Sequence, residues 1–102
     1  MAILHASATN FDSEVLQCSQ TVLVDFYADW CGPCKMLTPV IDELAAEHPA
    51  VKVVKLNVDN APEIASRYGV MSIPTLIIFK NGQAVNQTVG YTSKQAIADM
   101  LK

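Results

Sequence analysis

Apolar runs separated by turn-forming residues predict the strands of this protein. Residues 21–28 form an apolar run rich in β-branched and aromatic side chains, which is typical of a strand buried on both faces. Residues 51–58 and 75–79 have the same character. Asn81-Gly82 is a strong hairpin signal, so segment 83–89 should return antiparallel to the strand before it.

A repeat at helical spacing predicts a long helix after the first of these strands. The apolar residues that share one face of segment 34–47 are Leu37, Val40, Ile41 and Leu44. This spacing is typical of an amphipathic helix that packs against a sheet. Pro39 lies inside the helix and should kink it, because proline removes an amide donor and crowds the preceding turn.

Two shorter helices are predicted from their capping residues. Thr9 followed by Asp12 is typical of a capped helix start, and the apolar face of that helix consists of Phe11, Val15 and Leu16. Asn60 and Glu63 have the spacing of a capping box, and the flanking signals are Pro62 in the first turn and Gly69 after Arg67 and Tyr68.

The order of the elements predicts the fold class. A last helix should start near residues 92–93 and bury Ile97 and Leu101, which gives the order α-β-α-β-α-β-β-α. The helix between the first two long strands makes them parallel, and a short segment at Ile3-Leu4 is a candidate edge strand. We therefore expect one α/β domain over residues 1–102, with a mixed sheet of four to five strands flanked by four helices.

Size and composition narrow the class of protein. A chain of 102 residues with 51% hydrophobic and 17% charged residues has room for one globular core. The formal net charge is −3 and no run of Lys or Arg occurs, which argues against a surface for nucleic acid or anionic membrane. Residues 1–10 lack the regions of a secretory signal, and no apolar stretch could span a bilayer. We expect a cytoplasmic monomer.

The candidate reactive motif is Cys31-Gly32-Pro33-Cys34, which lies between a predicted buried strand and a predicted helix. Two residues between cysteines at a helix start let the sulfurs approach bonding distance. The helix dipole and the unpaired amides would stabilise a thiolate at Cys31. Cys34, one turn further on, would then be available to attack a mixed disulfide. The position therefore favours redox chemistry.

Other interpretations of the cysteines are weaker. A zinc site needs further ligands, but the only other cysteine is Cys18, and His5 and His48 show no paired ligand spacing. Two incidental core cysteines would rarely fall at the junction of a strand and a helix. Cys18 lies late in the predicted first helix, where a small buried apolar role is expected, and a regulatory thiol is the alternative.

Further segments extend this motif into a pattern that covers nearly the whole chain. They are Val24-Asp25-Phe26, Trp30-Cys31-Gly32-Pro33-Cys34-Lys35, Lys55-Leu56-Asn57-Val58-Asp59, Ile73-Pro74-Thr75 and Phe79-Lys80-Asn81-Gly82. In this order and spacing the chain resembles the thioredoxin family, in its bacterial form with a Trp-Cys-Gly-Pro-Cys active site. The resemblance implies the thioredoxin fold and a thiol–disulfide oxidoreductase that reduces protein disulfides.

The resemblance also implies catalytic roles for four residues. Cys31 corresponds to the nucleophile and Cys34 to the cysteine that resolves the mixed disulfide. Asp25 corresponds to a buried acid beneath the second cysteine, and Lys55 to a lysine near that acid. Independently, a carboxylate in an apolar strand should have a raised pKa and could exchange a proton with Cys34 near neutral pH. The alternatives are a water-facing Asp25 at a strand edge and a solvated Lys55.

A substrate groove follows from the same resemblance, formed by Trp30, Gly32, Pro33, Ile73, Pro74 and Gly90. In the family the residue matching Pro74 is cis, and the backbone beside it pairs with an extended substrate segment. The alternatives are a buried structural Trp30 and a Gly90 that only forms a turn. Two departures from the common bacterial pattern concern partner preference: Tyr27 replaces a second Trp, and Met71-Ser72 replaces a basic-Gly pair.

The implied reaction has disulfide-containing proteins as substrates and a thioredoxin reductase as electron donor, without a bound cofactor or metal. An oxidase or isomerase of an oxidising compartment is the first rival, but the Gly-Pro pair between the cysteines resembles reductases. The second rival is a redox-independent binding subunit that docks a partner through the apolar patch around the active site.

Overall fold

A five-stranded mixed sheet with helices packed against it forms the protein. The computed structural model describes residues 3–102. Its elements are β1 (Leu4–Ala6), α1 (Asp12–Leu16, a π-helical turn), β2 (Thr21–Tyr27), α2 (Gly32–Glu47), β3 (Val51–Asn57), α3 (Pro62–Arg67), β4 (Thr75–Lys80), β5 (Gln83–Val89) and α4 (Lys94–Met100). The α/β class, the edge strand near Ile3-Leu4 and the four helices predicted from the sequence are confirmed.

The central strand of the sheet is β2. The strand order is β1-β3-β2-β4-β5, with β2 parallel to β3 and antiparallel to β4. In this register Asp25 lies beside Lys55 on β3 and beside Leu76 on β4. The hairpin between β4 and β5 turns at Asn81 and Gly82, whose φ angles of 52° and 79° fit the predicted tight turn.

Alternation along β2 divides the core between the two faces of the sheet. Val22, Val24 and Phe26 belong to one cluster, with residues of α1 and α3. Leu23 points to the other face and packs in a second cluster with residues of α2 and α4, which include Leu37, Ile41, Leu44 and Ile97. Because side chains alternate, Asp25 shares the α2 face with Leu23.

Helix ends differ in part from the sequence expectations. The capping box predicted at Asn60 is wrong, because α3 begins after Ala61 without a side-chain cap. The oxygen of the Asn57 side chain accepts the N–H of Asp59 and forms a turn that brings Ala61 to the helix start. Pro62 in the first turn and Gly69, with a φ of 66°, agree with the prediction.

The segment around α1 differs from the sequence prediction in further respects. Thr9 does not cap α1, since the helix starts after Phe11 without a side-chain cap and the hydroxyl of Thr9 bonds to that of Ser7. Cys18 follows α1 instead of lying in it, because this helix ends at Leu16. The residue is half-buried against the first core cluster, so the buried apolar position expected for it is found only in part.

The long helix α2 begins two residues earlier than predicted, at Gly32, and continues to Glu47 with Pro39 inside it. In α4, Ser93 is the N-cap, and its hydroxyl accepts the N–H of Ala96 at 3.2 Å. Ile97 is buried as expected, whereas Leu101 lies just beyond the helix and is half-buried.

Candidate active site

The turn from β2 into α2 positions the two cysteines. Cys31 is the N-cap of α2, with extended backbone angles of −89° and 112°, and its sulfur accepts the N–H of Cys34 at 3.1 Å. Pro33 stands in the first turn, where a missing amide hydrogen is tolerated. The helix N-terminus therefore directs an amide hydrogen and the positive end of its dipole at Cys31 Sγ.

The two cysteines form a disulfide in a small buried cluster. Cys31 and Cys34 are joined with their Cα atoms 5.2 Å apart, and each residue is only 4% exposed. Ala28 and the half-buried side chain of Ile73 pack around them. Cys31 Sγ lies 3.9 Å from the carbonyl oxygen of Ile73, so the Ile73 backbone borders this sulfur.

Asp25 is buried on the same face of the sheet as α2. The residue is 1% exposed, and Oδ1 has no hydrogen-bond partner among the described residues. Burial raises the pKa of the Asp25 carboxyl from 3.8 to about 6, and the charge of Lys55 opposes part of that rise. The water-facing alternative for Asp25 is therefore wrong. A carboxyl with this pKa can take up or release a proton near neutral pH.

Lys55 extends from β3 toward Asp25. Its Nζ lies 3.9 Å from Asp25 Oδ2, and its side chain is 11% exposed, so the alternative of a solvated lysine is wrong. Nζ also donates to Thr38 Oγ1 at 3.4 Å and lies 4.7 Å from the centre of the Tyr27 ring. Sequence reasoning assigned no part to Thr38. Its position four residues after Cys34, on the same face of the helix, was the available signal.

A cavity of about 270 Å³ opens beside these residues. Its walls are His5, Tyr27, Ala28, Asp29, Cys34, Lys35, Thr38 and Lys55. The volume can hold water molecules, and polar side chains among the walls, such as those of Thr38 and Lys55, could bind them next to Cys34.

The loop before β4 borders the disulfide. The Ile73-Pro74 peptide bond is cis, as the resemblance implies. The Pro74 carbonyl accepts the N–H of Gly90 at 2.7 Å, and the φ of Gly90 is 89°, a conformation that favours glycine. Gly90 therefore does more than form a turn, because its backbone holds the end of β5 against the proline loop.

Trp30 stands at the rim of the site with 70% of its surface exposed, so the alternative of a buried structural tryptophan is wrong. Its indole N–H donates to Asp59 Oδ2 at 2.8 Å, a contact that sequence reasoning did not assign. Met71 is 95% exposed, and the neighbouring Ser72 carbonyl accepts the hydroxyl of Thr75. The two departures from the bacterial pattern therefore occupy different places: Tyr27 lines the cavity and Met71 faces solvent.

The thioredoxin family model matches residues 2–102. The chain is 54% identical to Thioredoxin 1 of Synechococcus elongatus over 92 residues, which cover 89% of this chain and 86% of the relative. It is 50% identical to Thioredoxin of Staphylococcus aureus over 102 residues, which cover 99% of this chain and 96% of the relative. The chain belongs to the thioredoxin family. The mixed sheet with its four helices is the thioredoxin fold.

Family membership and the Cys31–Cys34 disulfide identify a thiol–disulfide oxidoreductase that acts as a protein-disulfide reductase. Membership in this family implies that its substrates are disulfides and that a reductase is its partner. Over residues 3–102, every helix is too short or too polar to cross a bilayer. The same residues contain no group of three or more His, Cys, Asp or Glu side chains that could hold a metal ion.

Proposed function

We propose that this thioredoxin reduces protein disulfides with Cys31 as the attacking thiolate and Cys34 as the resolving thiol. The observation that carries the assignment is the Cys34 N–H directed at Cys31 Sγ at the start of α2, since this hydrogen bond favours negative charge on that sulfur. Cys34 is buried in the first turn of α2 and lines the cavity.

In the first step the Cys31 thiolate attacks one sulfur of a target disulfide. A mixed disulfide forms, the target S–S bond breaks, and the leaving sulfur takes the electron pair and then a proton. In the second step Cys34 loses its proton and attacks Cys31 Sγ, which releases the other target sulfur as a thiol. The target gains two electrons and two protons, and the protein keeps the Cys31–Cys34 disulfide.

Asp25 is the proposed proton acceptor for Cys34 in the second step. Its pKa of about 6 supports this role, because at neutral pH the carboxylate is mostly ionised and is still basic enough to accept a proton. Oδ1, which accepts no hydrogen bond from the part of the chain that the structure describes, has a lone pair free for that proton. Lys55 has the proposed role of keeping the carboxylate charge tolerable in this buried position.

The proposed substrate surface runs from the start of α2 to the proline loop and consists of Trp30, Gly32, Pro33, Ile73, Pro74 and Gly90. Gly32 and Pro33 are exposed, and Ile73 is half-buried with its carbonyl near Cys31 Sγ. An extended target segment could therefore pair with the Ile73 backbone as one rung of an added strand. Since this recognition uses backbone groups, it suits many disulfide proteins of different sequence.

We also propose that residues 1–102 form a single domain that works as a cytoplasmic monomer and receives electrons from a thioredoxin reductase. The family match over residues 2–102 supports one domain. A free thiol at Cys18, in a chain that also carries a redox-active cysteine pair, suits a reducing compartment. We propose no membrane or nucleic-acid partner, because the net charge is −3 and basic residues are few.

Insulin reduction with dithiothreitol as electron donor tests the assignment. Cys31→Ser should abolish turnover, Cys34→Ser should accumulate a mixed disulfide with the target, and Cys18→Ser should match the wild type. A Cys31→Ser variant that still reduced insulin would refute the assignment of the nucleophile. A strongly oxidising reduction potential would favour an oxidase, and a partner complex that survived replacement of both cysteines would favour the binding-subunit alternative.

A further inference from the structure

The ammonium group of Lys55 has a defined set of neighbours. Thr38 Oγ1 accepts from Nζ at 3.4 Å, the Tyr27 ring centre lies 4.7 Å away, and Asp25 Oδ2 lies 3.9 Å away. The separation from Asp25 is longer than that of a direct hydrogen bond, so the carboxylate by itself does not fix the lysine. A lysine side chain has many rotamers and loses entropy when held in one place. Other groups must therefore determine where this charge lies.

We propose that Thr38 and Tyr27 are positioning residues that hold the Lys55 ammonium beside the Asp25 carboxylate. The Thr38 hydroxyl supplies an oxygen for one N–H of the ammonium. The Tyr27 ring supplies the negative face of an aromatic group within cation–π distance. The ammonium group therefore contacts Thr38 and Tyr27 at a position next to Asp25, and its alternative position is in solvent at the cavity mouth.

Thr38 also connects this charge to the resolving cysteine. Its hydroxyl donates to the Cys34 carbonyl at 3.2 Å while its lone pairs accept from Lys55. A hydroxyl has one donor and two acceptor sites, so both bonds can exist together. The chain Lys55 to Thr38 to Cys34 therefore fixes the lysine relative to the first turn of α2, where the cysteine that loses its proton resides.

The remaining charged and titratable groups around the cavity do not replace this contact. His5 on β1, Asp29 after β2 and Lys35 on α2 line the cavity, and none is in a hydrogen bond or ion pair with Asp25 among the described residues. Burial, followed by the charges of Asp29 and Asp25, raises the pKa of the Tyr27 phenol above 10.0. Tyr27 is therefore neutral near pH 7 and acts on Lys55 through its ring.

The expected effect of Thr38 and Tyr27 on the reaction rests on the proposed role of Asp25. Their expected effect on the pKa of the Asp25 carboxyl does not depend on that role. Removal of the Thr38 hydroxyl takes an acceptor from an ammonium group whose side chain is mostly buried, and the ammonium should then shift toward solvent. Because Lys55 stabilises the ionised carboxylate, its retreat should raise the pKa of Asp25 above the value of about 6. We expect a rise of about half a pH unit in Thr38→Val.

The test follows the carbon-13 resonance of the Asp25 carboxyl against pH in the oxidised protein, where the disulfide removes the titration of Cys31 and Cys34. Thr38→Val and Tyr27→Leu should raise the pKa of Asp25. Thr38→Ser, which keeps the hydroxyl, and Tyr27→Phe, which keeps the ring, should retain the wild-type value. If Thr38→Val leaves the pKa unchanged or lowers it, the proposal for Thr38 is overturned; the same result in Tyr27→Leu overturns the proposal for Tyr27.

A double-mutant comparison separates positioning from a merely structural effect. In a Lys55→Met background, Thr38→Val should no longer change the pKa of Asp25, because the charge that it positions is absent. An undiminished effect in that background would refute the mechanism, since it would show that Thr38 acts on Asp25 by another route.

Kinetics distinguish this inference from the proposed function. With pre-reduced protein and enough insulin to make the second step rate-limiting, Thr38→Val should slow insulin reduction about twofold near pH 6 and much less near pH 8, since a raised pKa leaves fewer Asp25 carboxylates ionised only at the acid end. A shifted pKa without any change in rate supports the positioning of Lys55 and refutes Asp25 as the proton acceptor. An unshifted pKa refutes the positioning whatever the rate.

Discussion

The two halves of β2 lie in different surroundings. Val22, Leu23 and Val24 are fully buried among the apolar side chains of the two core clusters. Asp25 comes next, buried just as deeply, but with a carboxyl oxygen that has no hydrogen-bond partner within residues 3–102 and a lysine 3.9 Å away. Burial therefore has two consequences along one strand: it stabilises the fold where the side chains are apolar, and it raises the pKa of the Asp25 carboxyl.

The largest expected loss of stability comes from a large-to-small substitution in the core around the apolar half of β2. Phe79 pairs in register with Val22 and packs edge-to-face with Phe11 and Tyr68, with ring centres 5.9 and 5.2 Å apart. Phe79→Ala should lower the free energy of unfolding by about 3–5 kcal/mol, because it removes buried surface and leaves a cavity. Urea denaturation measures this change. Val85→Ala, at an exposed position on β5, is the control and should have little effect.

Phe79→Ala should leave the specific activity of the folded molecules near that of the wild type, because this residue lies at the end of the sheet away from Cys31. A loss of activity as large as that of Cys31→Ser, measured where the variant is fully folded, would contradict the separation of the two halves.

The next largest effect is a gain in stability, and it comes from a substitution in the active-site half of β2. Burial raises the pKa of the Asp25 carboxyl from 3.8 to about 6, and one pKa unit corresponds to about 1.4 kcal/mol. The folded state binds the proton more tightly, so wild-type stability falls as pH rises from about 4 to about 6. Asp25→Asn should remove this loss and raise the free energy of unfolding by about 3 kcal/mol near pH 8.

Denaturation of the oxidised Asp25→Asn protein across pH tests the sign. The gain over wild type should shrink as pH falls through 6 and vanish below about 4, while insulin reduction is slower. Asp29→Asn, at an exposed aspartate, should show no such gain. A gain that did not depend on pH would show that charge burial is not its cause.

A smaller loss of stability is expected from a substitution in the hairpin turn between β4 and β5. Gly82 has a φ of 79°, and a Cβ atom there would lie 2.6 Å from the backbone oxygen of Leu16. Gly82→Ala should lower the free energy of unfolding by about 2 kcal/mol, through backbone strain and this close approach. Thermal unfolding followed by circular dichroism measures it. Gly32→Ala is a matched glycine control for the contact, since its Cβ would meet no atom within 4 Å.

The smallest effect concerns the surface of α4. Ser93→Ala removes the side-chain oxygen that accepts the Ala96 N–H, and it should lower the free energy of unfolding by about 1 kcal/mol. Ser93→Asp, which keeps an acceptor, should restore most of this loss in urea denaturation. A loss in Ser93→Asp equal to that in Ser93→Ala would show that the cap does not stabilise the helix.

Sequence reasoning succeeded where the signal is local or periodic. The hairpin at Asn81-Gly82 follows from the backbone preferences of two residues, and the burial of β2 follows from a mostly apolar run that only Asp25 interrupts. Cys31 and Cys34 are recognisable because their spacing and their place before a helix are both visible in the chain. The thioredoxin fold also follows from motifs that extend over nearly the whole sequence.

The sequence failed where side chains had several possible partners. Thr9 and Asn60 were both plausible caps, but the loops before α1 and α3 use Asn10 and Asn57 for their turns instead. The contact between Thr38 and Lys55 joins residues 17 apart in the chain, and it depends on how α2 packs over β3. Such contacts come from tertiary packing, which a pattern in one dimension does not record.

Trp30 has a consequence for spectroscopy. It is the only tryptophan of the chain, its ring is 70% exposed, and its N–H is held by Asp59. The indole already faces water in the folded protein, so denaturation has little room to shift its emission wavelength, and the folded fraction is better followed by circular dichroism. A protein docked over the rim would instead cover the ring and move the emission to the blue. Intrinsic fluorescence here is a sensor of occupancy at the active site.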